Sequence, residues 1–318
     1  MRCSPHSRAD RSRHMITRAV DDIAAHTEPA RGRRRRMTLL AATIVAIAGL
    51  ALGSAVAAPA YAASASVVTG KGGGGGGKPG GGGGGGSGTE LEYAALGDSY
   101  ASGVGTGSYL ERTCYTSSKS YPKLLDADAN LRLAAFPACS GASTANVISG
   151  QVPAIPATTT RVTLTVGGND VGFANVMQNC FVFVSSSCES YIVAGETLVA
   201  NGTVATNIAN TVLAIRAKAP GAKIVVAGYP KLFNEPNAKY KWAARVNGDT
   251  VALNDAIEAA AVANGAVFVD VETAFAGHGI GSGSAWINDF NFLLPKEGFH
   301  PNATGYSAYA TEVRKVIG

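Results

Sequence analysis

For residues 89–318 the sequence predicts one α/β domain on a mostly parallel, five-stranded sheet, and three observations carry that reading. Five short apolar runs recur, at 91–97, 131–138, 161–167, 223–229 and 266–271. Stretches of helical periodicity separate several of these runs. Three of the runs end in small or polar residues that are useful in chemistry, as happens where strands deliver residues to a binding edge.

Taken in order, the first run, Leu91 to Gly97, breaks off at Gly97-Asp98-Ser99. The second leads into Cys139-Ser140-Gly141 and the third into Gly167-Gly168-Asn169-Asp170. A helix follows with Val204, Ile208, Val212 and Ile215 on one face, and Pro220-Gly221 stops it. After the fourth run, Val246, Leu253, Ile257 and Ala261 form the stripe of another helix that ends at Asn264-Gly265. A last helix is expected with Asn302 as its cap and Tyr306, Tyr309, Val313 and Val316 as its buried face. No internal repeat is visible.

The first 88 residues differ in kind. Residues 1–62 hold ten arginines against Asp10, Asp21, Asp22 and Glu28, a surplus of six. Subtracting these from the 27 basic and 22 acidic residues of the chain leaves 17 against 18, so the remainder nets to −1. Nucleic-acid binding thus lacks its electrostatic footprint. Arg31 to Arg36, the apolar stretch Met37 to Ala58 and Ala60-Tyr61-Ala62 have the layout of a secretory signal peptide. The small-residue site favours cleavage after Ala62 over retention as a membrane anchor. Residues 63–88 form a glycine-rich linker: 15 of the 19 residues from Gly70 to Gly88 are glycine. Such a segment has nothing to bury and is expected to be a flexible tether.

Export also bears on the cysteines. Cys114, Cys139, Cys180 and Cys188 remain after Cys3 leaves with the signal, and an exported domain with four cysteines suggests two disulfides. Three pairings are formally open; sequence proximity favours Cys180 with Cys188, leaving Cys114 with Cys139. With the cysteines paired and two histidines beyond residue 62, too few ligands remain for zinc, and no metal or organic cofactor is expected.

Ser99 is the candidate nucleophile. A serine hydroxyl needs a base, usually a neutral histidine. His278 lies between two glycines and reads as a loop residue, whereas His300 is fixed by Pro301 and the start of the last helix. His300 is the better base, so the rate is expected to fall as pH drops through the imidazole range. Attack on an ester carbonyl places negative charge on oxygen, which needs preorganised donors. The backbone amides of Ser99 and Gly141 and the side-chain amide of Asn169 are the candidate oxyanion donors. Asp98 and Asp170 read as structural groups bonding local backbone amides; a two-carboxylate glycosidase would leave Gly141, Asn169 and His300 without a role. Phe181-Val182-Phe183-Val184 is apolar, suited to an acyl pocket, to exposure toward lipid or to core packing. Trp286 and Phe290 are equally open.

These blocks together resemble the SGNH, or GDSL, ester hydrolases, and most closely their secreted bacterial lipase and phospholipase branch. The resemblance covers residues 89–318, with Gly167-Gly168-Asn169-Asp170 its most specific part. It implies a three-layer α/β/α sandwich, SGNH- or flavodoxin-like, and a serine esterase mechanism. Ser99 would be nucleophile and His300 base, with Ser99, Gly141 and Asn169 as the oxyanion hole. The α/β-hydrolase elbow is excluded because Ala101 occupies its second glycine position. The family usually has an aspartate three residues before the histidine, where this chain has Glu297. Either Glu297 orients His300 or a main-chain carbonyl such as that of Gly298 does so. Gly281 stands where relatives often carry a cysteine of a third disulfide, so 230–290 is expected to be looser.

The resemblance favours lipid or phospholipid esters as substrates, with acetylated polysaccharides as the alternative because the family includes sugar deacetylases. Transient contact with a lipid surface or cell wall and a monomeric state are expected. The rival reading, a non-catalytic wall-binding module on the tether, gives no reason for serine, donors and histidine to coexist.

Overall fold

The structure, a computed structural model, describes residues 90–127 and 130–318. The export signal expected in 1–62 and the tether expected in 63–88 lie outside the described residues. β1 (Leu91–Gly97) is buried without interruption from Tyr93 to Gly97. A strand covered on both faces reads as a continuous apolar run and belongs inside a parallel sheet. It pairs in parallel with β2 (Leu131–Ala135) on one side and β3 (Arg161–Thr165) on the other. β4 (Lys223–Ala227) and β5 (Val267–Val269) extend the sheet beyond β3, giving the order β2-β1-β3-β4-β5 with every pairing parallel. The connection from β2 to β3 crosses over β1, which makes the carboxyl ends of β1 and β3 the switch point where such folds bind ligands.

The strands are shorter than their apolar runs. Val166, Tyr229 and Val271 are buried yet lie beyond the last ladder pairing, because the chain turns inward at the carboxyl edge before reaching solvent. At β2, Phe136-Pro137 ends the pairing, since proline has no N–H to offer a ladder.

The helices are α1 (Ser99–Ser102), α2 (Tyr121–Asp126), α3 (Thr144–Asn146), α4 (Phe173–Met177), α5 (Cys188–Ala200), α6 (Thr203–Lys218), α7 (Ala243–Ala263) and α8 (Ala303–Ile317). They form the outer layers of a three-layer α/β/α sandwich. On one face, Tyr121 of α2 stacks on Tyr309 of α8 with ring centroids 4.7 Å apart. Beneath them Tyr93, Thr163 and Thr165 of the sheet bond through hydroxyls, Tyr93 to Thr163 at 2.6 Å and Tyr121 to Thr165 at 3.1 Å. These buried hydroxyls therefore satisfy one another. On the opposite face the stripes of α6 and α7 are buried as their periodicity predicts, and Ile208 and Ile257 meet over Gly167. In α8, Asn302 caps by accepting from Gly305 N at 3.0 Å. The stripe ends on buried Ile317, whereas Val316 is half-buried.

Both disulfides favoured by proximity are formed, Cys114–Cys139 and Cys180–Cys188. Their loops of 25 and 8 residues restrict the unfolded chain by about 3.5 and about 2.5 kcal/mol in the chain-entropy account. Hydrogen bonds tie the region expected to be loose. The Asn237 side chain donates to Ile280 O at 2.9 Å and stands where a Cβ at position 281 would project. Asn247 accepts from Phe233 N at 3.1 Å and donates to Phe233 O at 2.8 Å. His278 stacks on Trp286 with centroids 3.6 Å apart, and its Nδ1 lies 2.8 Å from the Ser284 carbonyl, so it serves the loop.

Candidate active site

Ser99 leaves the sheet at the end of β1 as the first residue of α1. Asp98 caps that short helix by accepting from Tyr100 N at 2.9 Å. Tyr229, just beyond β4, donates its hydroxyl proton to the second oxygen of Asp98 at 2.5 Å and accepts from Gly168 N at 3.0 Å. One buried carboxylate and one tyrosine thus fix the turn after β1 to the turn after β3. Burial pushes the Asp98 carboxyl up to about 7, against the two donors that favour its charged form. Asp170 does a related task at longer range than expected. It accepts from Thr144 N at 3.0 Å and from the Thr144 hydroxyl, joining the turn after β3 to the segment after β2.

His300 reaches Ser99 from 201 residues away, with Nε2 2.8 Å from the serine Oγ. Its Nδ1 is 2.8 Å from the Gly298 carbonyl oxygen. A carbonyl can only accept, so Nδ1 carries the proton in the neutral ring and Nε2 presents a lone pair to the serine hydroxyl. The Glu297 carboxylate is elsewhere: it accepts from the Tyr109 hydroxyl at 2.5 Å and from Gly107 N at 3.1 Å. Of the two alternatives for orienting the imidazole, the Glu297 contact is therefore not made, and the Gly298 carbonyl supplies it. Glu297 is turned toward the loop after α1 because Tyr109 and Gly107 both offer it protons there.

The histidine is held on all sides. Phe299 before it adopts a left-handed backbone at φ 63°, and its carbonyl accepts from the Tyr100 hydroxyl at 2.7 Å. Asn288 N donates to His300 O at 2.9 Å and Phe299 N to Asn288 O at 2.8 Å. The Tyr100 ring lies 5.3 Å and the Phe173 ring 6.3 Å from the imidazole. Burial pushes the His300 pKa down to about 4; the Gly298 carbonyl opposes this and the charge of Lys296 adds to it. The fall in rate expected from an ordinary imidazole is thereby moved to lower pH.

Hydrogen bonds tie together the segments that carry the three candidate oxyanion donors, with Cys139 N donating to Gly97 O at 3.0 Å. Asn169 Nδ2 donates to Ala142 O at 3.0 Å, which orients the amide and leaves its second N–H. Among the described residues neither Ser99 N nor Gly141 N donates to another protein group. Gly141 has φ 85°, a left-handed conformation, and a side chain placed there would meet nothing within 4 Å. The glycine is thus required by the backbone, and it leaves open space beside the amide. The Cys114–Cys139 bond and the Ser140 N to Cys114 O hydrogen bond at 3.0 Å fasten this turn to the loop after α1.

A pocket of about 320 Å³ opens beside Ser99 and Asn169 and runs between α5 and α7. Val176, Ile192, Val199, Val246 and Leu253 supply its apolar walls, and Glu196 and Asp249 also border it. The Phe181–Val184 segment contributes none of this lining. Phe181 is buried against Phe233 and Tyr240, whereas Phe183 and Val184 are exposed. No group of side chains with metal-ligand character occurs among the described residues.

Sequence reasoning missed Tyr100, Tyr229, the pocket walls and Gly105, whose carbonyl accepts from Asn288 Nδ2 at 2.7 Å beside the His300 loop. Tyrosines and glycines carry no spacing signature, and α5, whose apolar residues face several directions, lacks a clear stripe.

Comparison with known proteins agrees with this geometry. The family model for the GDSL-like lipase/acylhydrolase family matches residues 95–308. Lipase 1 of Streptomyces coelicolor is 40% identical over 222 residues, covering 68% of this chain and 82% of that protein. A lipase of Streptomyces rimosus is 37% identical over 224 residues, with coverage of 68% and 82%. Among solved structures, the extracellular lipase of Streptomyces rimosus superposes with a TM-score of 0.66 at 34% identity, covering 71% of this chain and 99% of that one. Phospholipase A1 of Streptomyces albidoflavus gives a TM-score of 0.66 at 35% identity with the same coverage. The ordered blocks around Ser99, Gly141, Asn169 and His300 fall within the matched segment, and the chain belongs to the GDSL-like lipase/acylhydrolase family of ester hydrolases.

Proposed function

We propose that this chain is an exported serine hydrolase that cleaves carboxylic esters with an apolar acyl chain through an acyl-enzyme on Ser99. The observation that carries the reading is the relay from Ser99 Oγ to His300 Nε2 and from Nδ1 to Gly298 O, both links 2.8 Å, at the mouth of an apolar pocket.

In the first half-reaction Ser99 Oγ bonds to the ester carbonyl carbon while its proton passes to His300 Nε2. The carbonyl π electrons move onto oxygen, where the amides of Ser99 and Gly141 and the side chain of Asn169 stabilise the charge. Collapse breaks the bond to the leaving oxygen, and the alcohol departs with the proton from Nε2. Water then repeats the sequence and releases the acid and free Ser99. Imidazolium forms transiently, and the Gly298 carbonyl keeps Nδ1–H fixed throughout. Glu297 acts on the loop that carries Tyr109.

A cavity near 150 Å³ holds benzene, so about 320 Å³ has room for roughly a dozen carbons. This supports an acyl chain well beyond acetate and speaks for lipid esters over acetylated polysaccharides. The solved relatives include proteins described as an extracellular lipase and a phospholipase A1, in keeping with export of this chain by the signal in 1–62 and display of the catalytic domain beyond the 63–88 tether. Turnover of p-nitrophenyl esters from acetate to palmitate tests the reading. A rise toward medium chains and abolition by Ser99→Ala are expected; retained turnover in that variant would remove Ser99 from the mechanism.

A further inference from the structure

The last residue of β1, Gly97, has a strand on one side only. It pairs with Thr165 of β3, and Asp98 N donates to Thr165 O at 2.9 Å. In a parallel ladder successive residues turn their backbone groups to opposite neighbours, so the N–H and C=O of Gly97 face the β2 side. β2 ends at Ala135, which pairs with Ala94. Among the described residues no strand reaches Gly97 from that side.

A side chain fills the gap. Gln151 Oε1 accepts from Gly97 N at 2.7 Å, and Gln151 Nε2 donates to Gly97 O at 2.9 Å. A primary amide holds an acceptor and a donor on one planar group and so reproduces both bonds of a neighbouring strand; an ionised carboxylate has no donor to offer. Gln151 is 5% exposed and ends a π-helical turn, Val147–Gln151, that follows α3. Such turns are rare and are frequent at functional sites. Support is needed here because Gly97 has φ 132°, and a Cβ on it would lie 2.2 Å from Thr165 O. Only glycine fits, and glycine has the most backbone freedom to restrain.

The Gly97 carbonyl is shared. It also accepts from Cys139 N at 3.0 Å, so one oxygen joins Gln151, the turn leading to Ser99 and the turn leading to Gly141. Ser99 lies two residues beyond Gly97, and Gly141 two residues beyond Cys139. Gln151 does not line the pocket beside Ser99 and acts through the backbone.

We infer that Gln151 is a positioning residue for ester hydrolysis: its side-chain amide stands in for the missing strand at the end of β1 and fixes the Ser99 and Gly141 amides relative to each other. The inference rests on the oxyanion role proposed above for those two amides.

Gln151→Met keeps the length of the side chain and removes both bonds. The oxyanion charge develops only in the transition state, so displaced amides lower kcat and leave substrate binding alone. With p-nitrophenyl butyrate, well below the melting temperature of the variant, kcat is expected to fall about tenfold to a hundredfold with KM within about twofold. A glutamine that only stabilises the fold would lower Tm and leave kcat of the folded chain within about twofold. That result overturns the proposal, and so does a loss expressed in KM.

Should Gln151→Met not fold, Gln151→Glu decides the matter. A protonated carboxyl offers the same acceptor and donor as the amide, and burial raises its pKa; the ionised form has no proton for Gly97 O. Its kcat is expected to be close to that of the parent at pH 5 and to drop about tenfold or more relative to the parent by pH 9. A ratio that stays constant over this range overturns the proposal. Retained turnover in Ser99→Ala would instead refute the mechanism on which the inference rests. Parent-like kcat in Gln151→Met, with Ser99 labelled by an organophosphorus ester, would refute the positioning role alone.

Discussion

Replacing Glu297 by Gln separates two ways of holding His300. The carboxylate accepts from Tyr109 Oη and Gly107 N, and the imidazole Nδ1 is bonded to Gly298 O. Glutamine keeps one acceptor for the tyrosine but presents an NH₂ group to the Gly107 amide, so one donor loses its partner. At this partly exposed position the cost is about 1–2 kcal/mol. For a domain of this size that lowers Tm by roughly 2–8 °C. The proton on Nδ1 and its acceptor are unchanged, so kcat/KM is expected to stay within about tenfold of the parent. Where a carboxylate does hold the imidazole of a serine hydrolase, its amide replacement drops kcat by about 10⁴. Steady-state kinetics on p-nitrophenyl butyrate with a parallel thermal melt distinguishes the cases. A loss of about a thousandfold or more with an unchanged melt would refute the assignment to Gly298.

Two further outcomes follow from the same geometry. Burial holds the His300 pKa near 4, so the base stays neutral as pH falls; kcat/KM should be flat from pH 8 to about 5 and decline below that, whereas a half-maximal point near 6.5 would contradict the burial argument. A Cβ on Gly105 would lie 2.2 Å from Pro301 O and 2.9 Å from His300 Cβ, at φ 106°, so Gly105→Ala must displace the histidine loop. A displacement near 1 Å costs about 10² in rate; full activity in that variant, measured with the same ester, would show that the loop adjusts without moving the imidazole.

Much of this was legible in the sequence because it depends on residue type. Strands buried on both faces announce themselves as apolar runs, and the stripes of α6 and α7 follow from periodicity. Ser99, Asn169 and His300 are chemically distinctive residues at abrupt breaks in pattern. The boundaries were less legible: Val166 and Tyr229 stay buried beyond the ladder because they line the interior of the carboxyl edge. The support of His300 was legible only as two alternatives, Glu297 or a main-chain carbonyl such as that of Gly298. Its acceptor is a main-chain carbonyl, which every residue possesses, while the visible carboxylate at Glu297 is diverted by Tyr109, 188 residues earlier. The same holds for Tyr229, whose bond to Asp98 spans 131 residues.

Covalent labelling tests the central claim most directly. Incubation of the chain with an organophosphorus ester, followed by mass spectrometry of its peptides, should place one adduct on Ser99 in step with the loss of esterase activity. His300→Ala should slow that labelling by orders of magnitude, because Oγ then lacks its base. Complete loss of activity with Ser99 unmodified, or labelling at an unchanged rate without His300, would contradict the account.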